Sequence, residues 1–310
     1  MDLVNRIGYV ALGVPDLDRA VDFYRRFIHL DVSERGSDMA FMTGGTEHHW
    51  LRLHQSDQTG VVRIGYQVER GALDEIVNRL DEQKIPWEAA GGLQSDRLKK
   101  AIRFRDPNGV EIELYDDMVT LPKAPPVRDV QMTQLLHAVW LTQDPGQTAD
   151  FWGGVLGFLP SDWIEDMGVF MRCGNKYHHS MAALRTGQSP GRLDHFCILV
   201  PEIDDVLRAR NIAMAGGVRL RQDVIRHAAS GSISTYLIEP HANICVEFCV
   251  DHGQITDPDY EARTLLASPA TADVWQPFNF DMSGHAGEAV ASTVDELTAS
   301  PTAAVITSSR

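Results

Sequence analysis

The chain has 310 residues, a formal net charge of −15 at pH 7, 44% hydrophobic residues and 23% charged residues. That length accommodates two domains with full cores, and so acidic a surface repels phosphate backbones and anionic membranes, which argues against nucleic-acid and membrane partners. No apolar run approaches the ~20 residues of a membrane span, MDLVNRIGYV lacks the basic segment and apolar core of a signal peptide, and Cys173, Cys197, Cys245 and Cys249 form no CxxC pair; the expectation is a cytoplasmic protein with reduced, buried thiols.

In chain order, RIGYVALGV reads as an apolar strand. PDLDRAVDFYRRFIHL reads as a helix with Asp16 as N-cap, because Ala20, Val21, Phe23, Tyr24 and Phe27 fall at helix spacing. Short strands follow around 39–43 and 50–54, then over 61–69. A helix is predicted over 72–83. AIRFRDPNGVEIELYD closes the first module as a hairpin turning at Asp106–Gly109. Three prolines and weak periodicity mark 118–131 as a linker.

The order then repeats. TQLLHAVWL matches RIGYVALGV, and DPGQTADFWGGVLGF matches the first helix, with Phe151-Trp152 in the place of Phe23-Tyr24. HFCILVPEIDDVLRARNI and STYLIEPHANICVEFCVD match the later strand–helix and hairpin. From Tyr9 to His137 the period is 128 residues, so each copy is one structural unit. The expectation is an α+β fold with helices outside a curved sheet: a first domain over 1–117, a second over 132–250, an extension or lid over 251–281, and a tail of low order over 282–310.

In the second copy, His137, His195 and Glu247 each interrupt an apolar strand. Burying three such groups without a shared partner is costly, and a divalent ion satisfies all three. Two histidines and a carboxylate form the facial triad of non-haem Fe(II) oxygenases, although zinc hydrolases use the same ligand types. The first copy has Tyr9 in the place of His137 and nothing matching His195; only Glu113 matches Glu247. The site is therefore expected in the second copy.

Around that triad, LxHxxxL and FWxxxLGF between Leu135 and Phe158, HHSMA at 178–182, LDHFCILV, Arg226-His227, and TYLIEP followed by VEF resemble the class I extradiol ring-cleavage dioxygenases of the vicinal oxygen chelate superfamily. The resemblance covers about residues 5 to 280 and includes DVWQP at 273–277. It implies tandem βαβββ modules forming two barrel-like domains. It makes His137, His195 and Glu247 the ligands of Fe(II), with Mn(II) as the alternative metal. It makes His179, His227 and Tyr236 the catalytic groups around a catechol-type diol that is cleaved beside the hydroxyl pair by O2. His179 would stabilise bound oxygen and move its proton, and Tyr236 and His227 would orient the diol. Phe170 and Trp275 are candidate cavity walls. The resemblance also implies a homo-oligomer. One departure is local: Pro240 and Glu247 are seven apart rather than six and the turn PHANIC lacks the usual glycine, so the register of that strand stays open, with Glu239 as a weak competitor. A glyoxalase-like isomerase, epimerase or thiol transferase would keep the triad without needing His179, His227 and Tyr236 together, and a non-catalytic binder of small aromatics is the remaining alternative.

Overall fold

Two acidic caps start the helices that cover the sheets. In the computed structural model, which describes residues 3–187 and 190–275, Asp16 and Asp144 accept hydrogen bonds from the amides of Arg19 and Gln147, both at 3.0 Å. The first module runs β1 (Val4–Val14), α1 (Leu17–Arg26), β2 (Asp31–Arg35), β3 (Met39–Thr43), β4 (Leu51–Gln55), β5 (Gly60–Val68), α2 (Ala72–Glu82), β6 (Trp87–Gly92), β7 (Leu98–Arg105) and β8 (Glu111–Tyr115). The second runs β9 (Gln134–Thr142), α3 (Pro145–Leu156), β10 (Leu159–Ile164), β11 (Gly168–Arg172), β12 (Met181–Arg185), β13 (Leu193–Leu199), α4 (Ile203–Ala215), β14 (Leu220–Arg226), β15 (Ile233–Glu239) and β16 (Ile244–Val250). β17 (Arg263–Leu265) and α5 (Pro269–Ala272) follow. The tail expected to be of low order, 282–310, and the end of the 251–281 extension lie outside the described residues.

The strand orders are β2-β3-β4-β1-β5-β8-β7-β6 and β14-β15-β16-β13-β9-β12-β11-β10-β17. Each module is thus two βαβββ units joined along one antiparallel seam, β1–β5 or β9–β13. The expected barrels are open sheets. The two units of a module pair strand to strand only at the seam, and the outer strands β2 and β6 do not pair with each other. β17 adds to the second sheet in parallel beside β10.

One apolar core runs through both modules. Tyr66 of β5 meets Trp152 of α3 and Phe158 edge-on, at ring separations of 5.4 and 5.7 Å. Tyr24 of α1 stacks toward Phe196 of β13. The seam of the second module is therefore clamped from outside by side chains of the first.

The seams hold equivalent positions. β1 sets Tyr9 opposite Gly65, and β8 sets Glu113 opposite Gly65. Likewise His137 and Glu247 both face Cys197. Arg63, two residues before Gly65, stands where His195 does, and Arg103, paired with Glu113, stands where Tyr236 pairs with Glu247. Gly65 is required by the Tyr9 ring, since a Cβ there would lie 2.0 Å from Tyr9 Cε1. Glu113 is fully buried. It accepts from Tyr9 Oη and from Arg103 Nε at 2.6 Å, with Arg63 at 3.9 Å. Burial, then the Glu113 charge, pushes the Tyr9 phenol well up, which keeps it a donor. Guanidinium groups thus balance the buried carboxylate of the first module. Arg103→Met is expected to lower unfolding free energy by about 3 kcal/mol in chemical denaturation.

Candidate metal centre and cavity

β9, β13 and β16 lie side by side in the second sheet. Their register puts His137, Cys197 and Glu247 in one row across the strands. Period two puts His195 on the face of Cys197, and a bulge between Leu193 and His195 re-aims the strand there. The register of β16 follows from its pairing, with Glu247 opposite Tyr236. The extra turn residue is absorbed at Asn243, in the left-handed region at φ 53°. Glu239 is occupied elsewhere: it accepts from the amides of His241 and Ala242 at 3.0 and 2.6 Å.

Three ligand atoms converge. His137 Nε2 lies 2.9 Å from Glu247 Oε2 and 3.3 Å from His195 Nε2, and His195 Nε2 lies 3.1 Å from the same oxygen. Atoms at right angles around one ion, each ~2.1 Å from it, are about 3 Å apart, so the three residues fit a divalent ion. All three are buried. The ion pairs of Glu247 among the described residues are all with imidazoles, of His137, His195 and His227; no guanidinium stands where Arg103 serves Glu113. Against the upward push of burial, His137 and His195 hold the Glu247 carboxyl well below its usual range. Burial lowers His137, with Glu247 opposing. Cys197 Sγ also comes within 4.8 Å of ligand atoms of His137 and Glu247, but burial pushes that thiol well up, which disfavours the thiolate a metal needs.

The second nitrogen of His195 is held. Its Nδ1 lies 2.5 Å from Asp194, which takes Arg221 through both oxygens at 3.1 and 2.8 Å. Burial acts against His195 protonation, and the bonds and charges of Asp194 and Glu247 together outweigh it and raise the imidazole. Arg221 also lies over the Tyr236 ring, 5.1 Å from its centroid. Tyr236 Oη is 2.7 Å from His227 Nε2, and burial, then Glu247, raises the phenol well above its usual value. His227 sits just after β14, placed by its amide on Ser232 O at 3.0 Å.

His179 stands with its ring 4.2 Å from that of His137 and 4.9 Å from Phe170. Its Nδ1 meets His178 Nδ1 at 3.0 Å, and His178 Nε2 meets Asp162 at 2.9 Å. Arg263, from β17, completes the string on Asp162. The first module repeats it as Arg97, Glu34, His48 and His49, beside Phe41. Burial, then neighbouring histidines, lowers His179 well below its usual value.

The sequence-predicted His137, His195, Glu247, His179, His227 and Tyr236 all line one cavity of about 310 Å³. Phe170 forms a wall; Trp275 is half exposed, and Thr271 and Ala272 of α5 line the cavity instead. Sequence reasoning missed Asp194, Arg221, Asp162 and His252. Asp194 is signalled only by preceding His195. His252 is signalled by nothing but its place five residues after Glu247.

A family model described as the Glyoxalase/Bleomycin resistance protein/Dioxygenase superfamily matches residues 6–114 and 134–259. The chain is 26% identical over 285 residues to a manganese-dependent 2,3-dihydroxybiphenyl 1,2-dioxygenase of Geobacillus genomosp. 3, covering 83% of this chain and 89% of the relative. The Mn(II)-bound glyoxalase from Novosphingobium aromaticivorans has a similar fold, with TM-score 0.81, 23% identity and coverage of 89% and 91% of the two chains. So does an E323L mutant of homoprotocatechuate 2,3-dioxygenase from Brevibacterium fuscum, at 0.81, 19%, 88% and 79%. The family match runs through both modules and most of the chain, and with two modules of this fold and a buried His–His–Glu cluster in the second, the chain belongs to the glyoxalase/bleomycin resistance protein/dioxygenase superfamily.

Proposed function

We propose that the second module is an extradiol dioxygenase centre. His137, His195 and Glu247 hold Fe(II) or Mn(II), and a catechol-type diol is opened by O2 beside its hydroxyl pair. The observation that carries this reading is the convergence of three ligand atoms within 2.9–3.3 Å in the wall of a largely apolar cavity. The names of the manganese-dependent dihydroxybiphenyl dioxygenase and the homoprotocatechuate dioxygenase support the same reaction class.

When bound, the ion supplies Lewis acidity to the diol and brings diol and O2 together. The rest falls to side chains. Tyr236 donates to His227, so its oxygen is free to accept from a diol hydroxyl and orient it. Asp162 accepts from His178 Nε2–H, which leaves His178 Nδ1 to accept from His179 Nδ1–H. That tautomer leaves His179 Nε2 an acceptor on a residue that lines the cavity, suited to take and return a proton. Asp194 and Arg221 hold the His195 ring in place.

The cavity also speaks to the substrate. Val139, Ile164, Met167, Phe170, Leu184 and Ala229 form apolar wall. Among the described residues, Arg185 is the one lysine or arginine of the lining, and it already donates to the carbonyls of Asp166 and Gln143 at 2.6 and 3.0 Å. A carboxylate on the ring would be buried without a free cation; the pocket suits an uncharged, apolar ring substituent.

Anaerobic loading with Fe(II) or Mn(II), followed by a catechol and O2, is expected to consume one O2 per diol and give a yellow ring-opened product. Glu247→Gln and His195→Ala should abolish this; full activity in either would refute the ligand set, and a loaded enzyme without O2 uptake would refute the reaction. His179→Phe and Tyr236→Phe are expected to bind the ion normally and lose about 10²–10⁴ in kcat, read by oxygen electrode. Alkyl- or aryl-substituted catechols should exceed carboxylated ones by at least about 100-fold in kcat/KM.

A further inference from the structure

The two proposed histidine ligands are not supported alike. His195 has its second nitrogen on Asp194, itself held by Arg221. His137 Nδ1 is buried and has no hydrogen-bond partner among the described residues. A ligating imidazole nearly always gives its other N–H to an acceptor, which fixes its tautomer and ring plane. One more histidine lies close by. His252 is 6% exposed, and both of its ring nitrogens are buried without a partner. Its ring is 4.6 Å from that of His179 and 5.4 Å from that of His137. One ring nitrogen from each of the three residues lies within 4.8 Å of the others.

The backbone holds His252 there. Asp251, at φ 59°, turns the chain inward after β16. Gly253 then donates to Ser230 O at 2.8 Å and accepts from the His178 amide at 2.7 Å. The first module makes the same connection, from the His48 amide to Val119 O at 2.9 Å. That match sets Met118 in the place of His252, five residues after Glu113 as His252 is five after Glu247. Where Tyr9 replaces the ligand histidine, a thioether replaces the second imidazole. Within one chain, His252 occurs where His137 occurs and is gone where it is gone.

We propose that His252 is a positioning residue for His137: it accepts the His137 Nδ1–H through one shared water, and it meets His179 on its other side. The rings make no direct hydrogen bond, and centroids 5.4 Å apart leave room for a single bridging water with several polar partners. The proposal rests on His137 being a ligand, as proposed above, and its test reads binding rather than turnover.

The metal-free full chain is titrated with Mn(II), and free Mn(II) is followed by its electron paramagnetic resonance signal. His252→Met, which installs the first module's own residue, is expected to weaken Mn(II) binding 10- to 100-fold. His252→Gln, which keeps an acceptor, should recover most of that loss, and His252→Phe is a second apolar variant should the Met variant not fold. Thermal melts of the metal-free variants establish that each is folded. Wild-type affinity in a folded apolar variant would overturn the proposal, as would a Gln variant as weak as the apolar ones, since packing alone would then account for the loss. Wild-type protein that binds no Mn(II), or a Glu247→Gln variant that binds it as well as wild type, would instead overturn the ligand set itself.

Discussion

A carboxylate buried at the seam of two βαβββ units is the constraint around which both modules are built. Glu113 and Glu247 occupy the same place, and neither is exposed beyond 1%. Such a charge has to be balanced within the protein. The first module does so with Arg103, backed by Arg63 and a Tyr9 hydrogen bond. The second puts Tyr236, His195 and His137 at those three positions, so the ion pairs of its carboxylate among the described residues are with imidazoles. The same fold thus has a seam closed by fixed cations in one copy and, in the other, a seam of imidazoles that the proposed ion would complete.

This comparison separates what the fold inherits from what the site adds. The acid–histidine–histidine string is present in both modules, with Glu34, His48 and His49 repeating Asp162, His178 and His179. It is therefore an element of the fold that the second module puts to use. The Asp194–Arg221 pair beside His195, the Tyr236–His227 pair and His252 belong to the second module. Each of these lies around the three converging atoms.

Much of this is legible in the residues themselves. His195 in LDHFCILV stands out because an apolar strand rarely carries a titrating group. α2 and β3 lie where periodicity puts them. β14 does not announce itself: it is an edge strand of LRQDVIR, mostly half-exposed, with little apolar alternation to read. Arg63 carries no signal either, because a lone arginine in VVRIGYQV reads as solvent-facing until pairing with β1 and β8 sets it beside Glu113. The turn before Glu247 is ambiguous in sequence, since one extra residue shifts every side chain of a strand to the other face; cross-strand pairing resolves it. The cavity wall misleads in another way. A large apolar Trp275 suggests a wall, yet small Thr271 and Ala272 form it.

Arg263 and α5 belong to one short segment, 263–272. At one end its arginine is the counter-cation of Asp162, the carboxylate that meets His178. At the other end Thr271 and Ala272 are part of the cavity wall. The cavity wall and the acid–histidine string are therefore tied to one stretch of chain. Under the proposed reading, a substitution that shifts this segment would alter the cavity wall and the Asp162–His178–His179 string at once.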